Sequence, residues 1–136
     1  MVRMIGLGVD QRPPVPAAGF AAILRHERPD GSVHFDLLLG PATMPGMDER
    51  SVPTWRCQRN PMVLDLDAVT PIAALPPHRG LYLGLDRAVT LSGDQGTVTP
   101  TWRGTHRVDV AGLHLIDHGG RTADFAMETG LLRRLR

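Results

Sequence analysis

Glycine and proline set the limits on what this chain can fold into. The 136 residues hold 15 glycines and 12 prolines, spread along the whole length. A helical bundle does not tolerate so many breakers. Short strands joined by turns use them well, because glycine supplies positive φ and proline ends hydrogen-bonded ladders. The length fits one domain. Hydrophobic residues make up 42% and aromatics only 4%, so the core must be built from Leu, Val, Ile, Ala and Met.

The clearest local pattern is a hairpin. Residues 19–26 (GFAAILRH) read as a strand, 27–32 (ERPDGS) as a turn with the Asp30-Gly31 signal, and 33–39 (VHFDLLL) as the returning strand. Side chains alternate faces along a strand. Val33, Phe35, Leu37 and Leu39 therefore share one face, and His34, Asp36 and Leu38 share the other. Further on, 52–57 and 62–66 read as short strands, and 68–77 as a proline-interrupted connection with one helical turn. Residues 78–85 read as a strand with Leu81, Leu83 and Leu85 on one face and His78, Gly80, Tyr82 and Gly84 on the other. Segments 88–92, 96–101, 104–110, 112–117 and 122–127 make more short strands. The organisation expected is an N-terminal arm over 1–18, a domain over 19–127 and a C-terminal tail over 128–136, the tail a short amphipathic helix or frayed. About nine short strands with frequent turns suggest a barrel or a sandwich.

Charge narrows the function classes. The net charge of +1 and pI near 8.1 are not those of a protein that coats nucleic acid. Any such contact must come from a local patch. All 15 residues of the Lys+Arg total are Arg, whose fork binds phosphate oxygens in bidentate fashion, although GC-rich coding also explains the bias. The single cysteine, Cys57, allows no internal disulfide and implies no secretion. No apolar run approaches the roughly 20 residues of a membrane span, and residues 1–10 lack a signal-peptide layout. No membrane association and a cytoplasmic location are the expectation.

Three potential ligands converge on the predicted hairpin. His26 closes the first strand, and His34 and Asp36 open the second. Two imidazoles and a carboxylate suit a divalent ion such as Mn²⁺ or Zn²⁺. The same residues also fit a hydrogen-bonded His/Asp pair on a polar strand face. His78 and Tyr82 share a face with Gly80 between them, leaving room for a ligand near the backbone. A surface His and a half-buried Tyr fit equally. Arg59 is either a phosphate clamp or a solvated charge. Cys57 reads as a buried, inert thiol, and His106, His114 and His118 as structural or solvated. Nucleophile elbows, phosphate-cradling Gly loops and Cys-x-x-Cys pairs are absent from the sequence.

In this order the motifs resemble the 3′-phosphoesterase domain family of bacterial ATP-dependent DNA ligase D. The run Phe20 to Leu39 is similar to its opening motif, a strand ending in His, a turn, then His-aromatic-Asp. Trp55, Arg59 and Pro61 resemble its Trp-x-x-x-Lys-x-Pro stretch, and His78-Arg79-Gly80-Leu81-Tyr82 its His-Pro-Leu-x-Tyr element. Gly96-Thr97-Val98 with Trp102 and Gly104 resembles a later hairpin. The resemblance implies a compact, closed or nearly closed β-barrel of about eight or nine strands with minor flanking helix. It implies metal binding by His26, His34 and Asp36, with Mn²⁺ the usual ion and Zn²⁺ or Co²⁺ as substitutes. It implies catalytic roles for His78 and Tyr82 and phosphate binding by Arg59 and His78. The implied substrates are nucleic-acid 3′ ends carrying a 3′-phosphate or a 3′-ribonucleoside, on DNA or RNA-terminated DNA, with ligase or polymerase repair partners.

Departures from the family pattern are specific. The family has a shorter turn between its histidines, an Arg where this chain has Leu38, an acidic residue where it has Pro76, and Phe-Glu-Gly where it has Leu85-Asp86-Arg87. Its charged N-terminal segment has no counterpart in residues 1–18. Two other readings follow: a non-catalytic module on the same barrel that binds a nucleic-acid end or a repair partner, and a cupin-like metal barrel acting on a small molecule.

Overall fold

Turn chemistry and two-residue periodicity give a β structure throughout. A computed structural model describes residues 14–136, so most of the arm expected over 1–18 lies outside the described residues. Nine strands form among the described residues. They are β1 (Ala18–Glu27), β2 (Val33–Leu39), β3 (Arg50–Cys57), β4 (Val69–Arg79), β5 (Val89–Thr90), β6 (Thr97–Asp109), β7 (Gly112–Ile116), β8 (Thr122–Glu128) and β9 (Leu131–Arg134). Single 3₁₀ turns cover Pro61–Val63 and Gly80–Gly84.

All pairings are antiparallel, in the order β1-β2-β3-β4-β9-β8-β7-β6. A ten-pair ladder between β1 and β6 closes the ring into an eight-stranded barrel. The two-residue β5 adds to β6 outside it. Closure leaves none of the eight barrel strands as the edge of an open sheet. Among the described residues, no helix is long and apolar enough to cross a membrane.

The β1–β2 hairpin forms as its sequence predicts. Asp30 accepts hydrogen bonds from the Ser32 amide and hydroxyl at 2.8 and 2.6 Å, and Gly31 takes the positive φ of 87° that the turn requires. The alternation of β2 then sorts its residues between two clusters. Leu37 and Leu39 join Ile23, Trp55, Leu113, Phe125 and Leu132, drawn from strands all round the ring, in the barrel interior. Full burial of each such side chain stabilises the fold by about 1.5–3 kcal/mol. Leu38 faces outward and packs with Ala22, Leu24, Val52, Leu83 and Val98 in a second cluster roofed by the 3₁₀ turn at Gly80–Gly84.

Several sequence expectations are corrected. Residues 62–66 are no strand: Pro61 starts a 3₁₀ turn, and Asn60 caps it by accepting from the Met62 amide. Residues 68–77 are no connection but most of β4. Toward β9 the Ile72 amide makes the bond, donating to the Gly130 carbonyl, while Pro71 only accepts, from the Gln58 amide; Pro76 and Pro77 lie past the stretch β9 covers and together face the single residue Pro53 in a β-bulge. The strand expected over 78–85 ends at Arg79 and becomes 3₁₀, tied down by Gly80 and Leu81 amides donating to Glu49 and Met47 carbonyls at 3.0 Å. Segments 96–101 and 104–110 are one strand, β6. The tail is neither helix nor frayed. It contains β9, which completes the barrel between β4 and β8, with Leu132 fully buried.

Candidate metal centre in an arginine-lined cleft

The outward face of the β1–β2–β3 wall carries the candidate site. His26 and His34 are direct cross-strand partners. Their rings meet edge to face with centroids 4.6 Å apart, and His26 Nδ1 lies 3.2 Å from His34 Nε2. Two residues along β2, Asp36 Oδ1 is 3.0 Å from the same His34 nitrogen. One ligand atom from each of the three residues lies within 4.8 Å of the others.

Hydrogen bonding assigns the tautomer of His26. Its Nε2 lies 2.6 Å from the Gln95 carbonyl and must donate to it, so in the neutral ring Nδ1 presents a lone pair to His34. A backbone carbonyl behind the far ring nitrogen is the usual support of a metal-bound histidine. Burial lowers the His34 pKa, and Arg56 adds to that effect against the opposing pull of Asp36, so the ring is held neutral. Asp36 is 3% exposed, and its Oδ1 has no aligned hydrogen-bond donor. One proton on His34 Nε2 could bridge to His26 or to Asp36, not to both. With both rings neutral, three lone pairs converge with one proton at most among them, an arrangement that a cation satisfies, and the donor set of two imidazoles and a carboxylate fits a divalent metal. This group could therefore bind a metal ion.

His78 approaches from β4. The bulge at Pro76-Pro77 turns it inward, and its Nδ1 lies 3.2 Å from the Pro76 carbonyl while Nε2 lies 3.6 Å from Asp36 Oδ2. Tyr82 stands beside it with ring centroids 5.8 Å apart. The two keep the neighbourhood expected from sequence, although a strand end and a 3₁₀ turn, not one strand face, bring them together. Arg79 donates to the Tyr82 hydroxyl and to Asp48, each at 3.3 Å.

These residues line one cleft of about 640 Å³. Three arginines, Arg50, Arg56 and Arg79, line it against the single carboxylate of Asp36. In a chain whose net charge is only +1, this concentrates positive charge beside the candidate ligands.

Arg59 does not join them. It is exposed beyond the end of β3, its amide donates to Thr70 Oγ1 at 2.9 Å, and it is not among the residues lining the cleft. Leu38, at the position where the resembled family has Arg, lies in the apolar outer cluster. From sequence, Arg56, Arg79, Arg87 and Arg103 are equal candidates to replace the family's Arg, and nothing marks Arg50 or Gln95. The β2–β3 register that pairs Asp36 with Arg56 has no local signal, and Gln95 meets His26 across 69 residues of chain.

The remaining candidates are structural. Burial pushes the Cys57 thiol up to about 12, leaving it inert in the core. His106 is buried against the Gly40 carbonyl at 2.8 Å, and burial lowers its pKa. His114 bridges Asp109 and Asp124, and His118 is exposed. Compared with protein-family models, with curated proteins and with solved structures, the chain matches none.

Proposed function

We propose that this chain is a divalent-metal-dependent phosphoesterase that processes 3′ ends at nucleic-acid breaks, removing a 3′-phosphate or a 3′-ribonucleoside. One observation carries the reading: the His26, His34 and Asp36 group opens with His78 and Tyr82 into a cleft lined by three arginines and one carboxylate. The sequence resemblance to the ligase D 3′-phosphoesterases supports the choice of substrate and of Mn²⁺ as the ion, with Zn²⁺ and Co²⁺ as substitutes. A divalent ion held there would neutralise phosphate charge and polarise the phosphorus for attack. His78 donates through Nδ1 to Pro76, so in its imidazolium form a second proton on Nε2 would hold a phosphate oxygen or pass to the leaving group. Tyr82, anchored by Arg79, positions that oxygen. Low overall charge makes engagement of a strand end, not coating of a duplex, the mode of binding.

The test is a primer–template ending in a 3′-phosphate or a 3′-ribonucleotide, incubated with Mn²⁺ and either wild type or His34→Ala. Wild type alone should release phosphate or ribonucleoside. The burial of Leu38 favours a second reading, a binding module on the same barrel. A folded, metal-loaded protein that binds such ends in a salt-dependent manner but releases nothing in Mn²⁺, Zn²⁺, Co²⁺ or Mg²⁺ would establish it instead.

A further inference from the structure

Asp36 on β2 and Arg56 on β3 are direct cross-strand partners with side chains on the same outer face. Opposite charges so placed ordinarily pair. Here they do not. Asp36 turns one oxygen to His34 and the other to His78, at 3.0 and 3.6 Å. Arg56 has no ion-pair or hydrogen-bond partner among the described residues, and its Nε is buried without an acceptor. Arg79, in the same cleft, is instead committed to Asp48 and Tyr82.

A buried, unmet guanidinium donor is costly to the fold unless an acceptor reaches it. The fork of Arg matches the paired oxygens of a tetrahedral oxyanion. Next to it, the His26, His34 and Asp36 group presents lone pairs that a cation would satisfy. A cation beside a free guanidinium is a seat for an anion that both can hold.

We infer that Arg56 is the anchor for a phosphate-class oxyanion bound against the His26–His34–Asp36 centre. The choice of phosphate rests on the phosphoesterase reading. The guanidinium is delivered from β3 because the outward position after Asp36 on β2, Leu38, is sealed under the 3₁₀ turn at Gly80–Gly84.

The experiment measures inorganic phosphate binding by calorimetry to Mn²⁺-loaded wild type, Arg56→Gln and Arg56→Lys, with Mn²⁺ affinity measured in parallel. Arg56→Gln should weaken phosphate about tenfold to a hundredfold, the range for loss of a charged hydrogen bond, and leave Mn²⁺ affinity within about threefold; Arg56→Lys should fall between. Unchanged phosphate affinity in Arg56→Gln overturns the inference, as does a loss confined to Mn²⁺ affinity. If Arg56→Gln does not fold, wild type is treated with phenylglyoxal and its modified arginines mapped. Phosphate should protect Arg56 from modification; equal labelling with and without phosphate overturns the inference. Phosphate held through Arg56 without turnover of any 3′ end supports the anchor and rejects the phosphoesterase. Full turnover and phosphate affinity in Arg56→Gln do the reverse.

Discussion

The barrel carries two histidine–carboxylate clusters on its outer wall, and they are built on opposite principles. At His114 each ring nitrogen has its own carboxylate, Asp124 at 2.7 Å from Nδ1 and Asp109 at 2.9 Å from Nε2. Those bonds raise the His114 pKa, the one to Asp124 most, so an imidazolium clamps β7 between β6 and β8. At His34 one nitrogen faces both a second imidazole and a carboxylate, and burial lowers its pKa. The first cluster has a proton for every acceptor. The second has more lone pairs than protons. Residue types alone do not separate a structural clamp from a candidate metal centre; the count of protons against acceptors does.

Exchanging a ligand should separate the clusters most widely. Asp36→Asn should lower Mn²⁺ or Zn²⁺ affinity by more than about a hundredfold, beyond the 10–100-fold typical of outer supporting groups, while the melting temperature holds or rises because a buried charge is removed. A marked fall in melting temperature with metal affinity intact would make Asp36 the structural one. Next in size is Gly96→Ala. Gly96 has φ of 92°, and an added Cβ would collide with the Glu27 carbonyl, so the neighbouring Gln95 carbonyl must shift from His26. Metal titration should show a loss of roughly 10–100-fold; no loss would mean the Gln95 contact does not orient His26.

The clamp should respond differently. His114→Gln should lower the melting temperature by about 1–4 °C, the scale of a partly exposed ion-pair network in a domain of this size, and leave metal affinity unchanged. A fall in metal affinity would erase the distinction. The smallest effect is its pH dependence. The raised pKa of His114 gives stability that is fully present below its ordinary value of 6.5 and is lost as pH rises through the folded-state pKa. Asp109, lowered chiefly by its bond to His114, contributes above its ordinary 3.8 and loses that contribution as pH falls through its lower folded-state value. Melting curves of wild type and His114→Gln should therefore differ most between these limits and converge on the alkaline side. A gap that widens with pH would reverse the assigned charge on His114.

The hairpin and its three candidate ligands were legible because everything needed to place them lies between Phe20 and Leu39: an Asp-Gly turn, period-two alternation and direct strand pairing. Leu113, Leu115, Ala123 and Phe125 follow the same alternation into the core. Where reading failed, the deciding contact was distant or local propensity misled. Three prolines argued against β4, yet two of them make the bulge that aims His78 at Asp36. Leu131 to Arg134 is too short for its periodicity to tell strand from helix, and only docking between β4 and β8 decides it. Arg59 was favoured by motif order and Arg56 decided by register, which no run of residues encodes.

The alternation of β2 also acts as a safeguard against misassembly. A slip of one residue against β1 would turn His34 and Asp36 into the apolar interior and expose Phe35, Leu37 and Leu39. In an open sheet, an outer strand can make that error by itself. In the closed ring β2 is held by β1 and β3, and β1 is held in turn by β6, so a frame shift would have to be repeated around the circumference. The same geometry makes the centre a reporter of assembly: a chain that gathers a metal on His26, His34 and Asp36 has, by that fact, zipped its first hairpin in the correct frame.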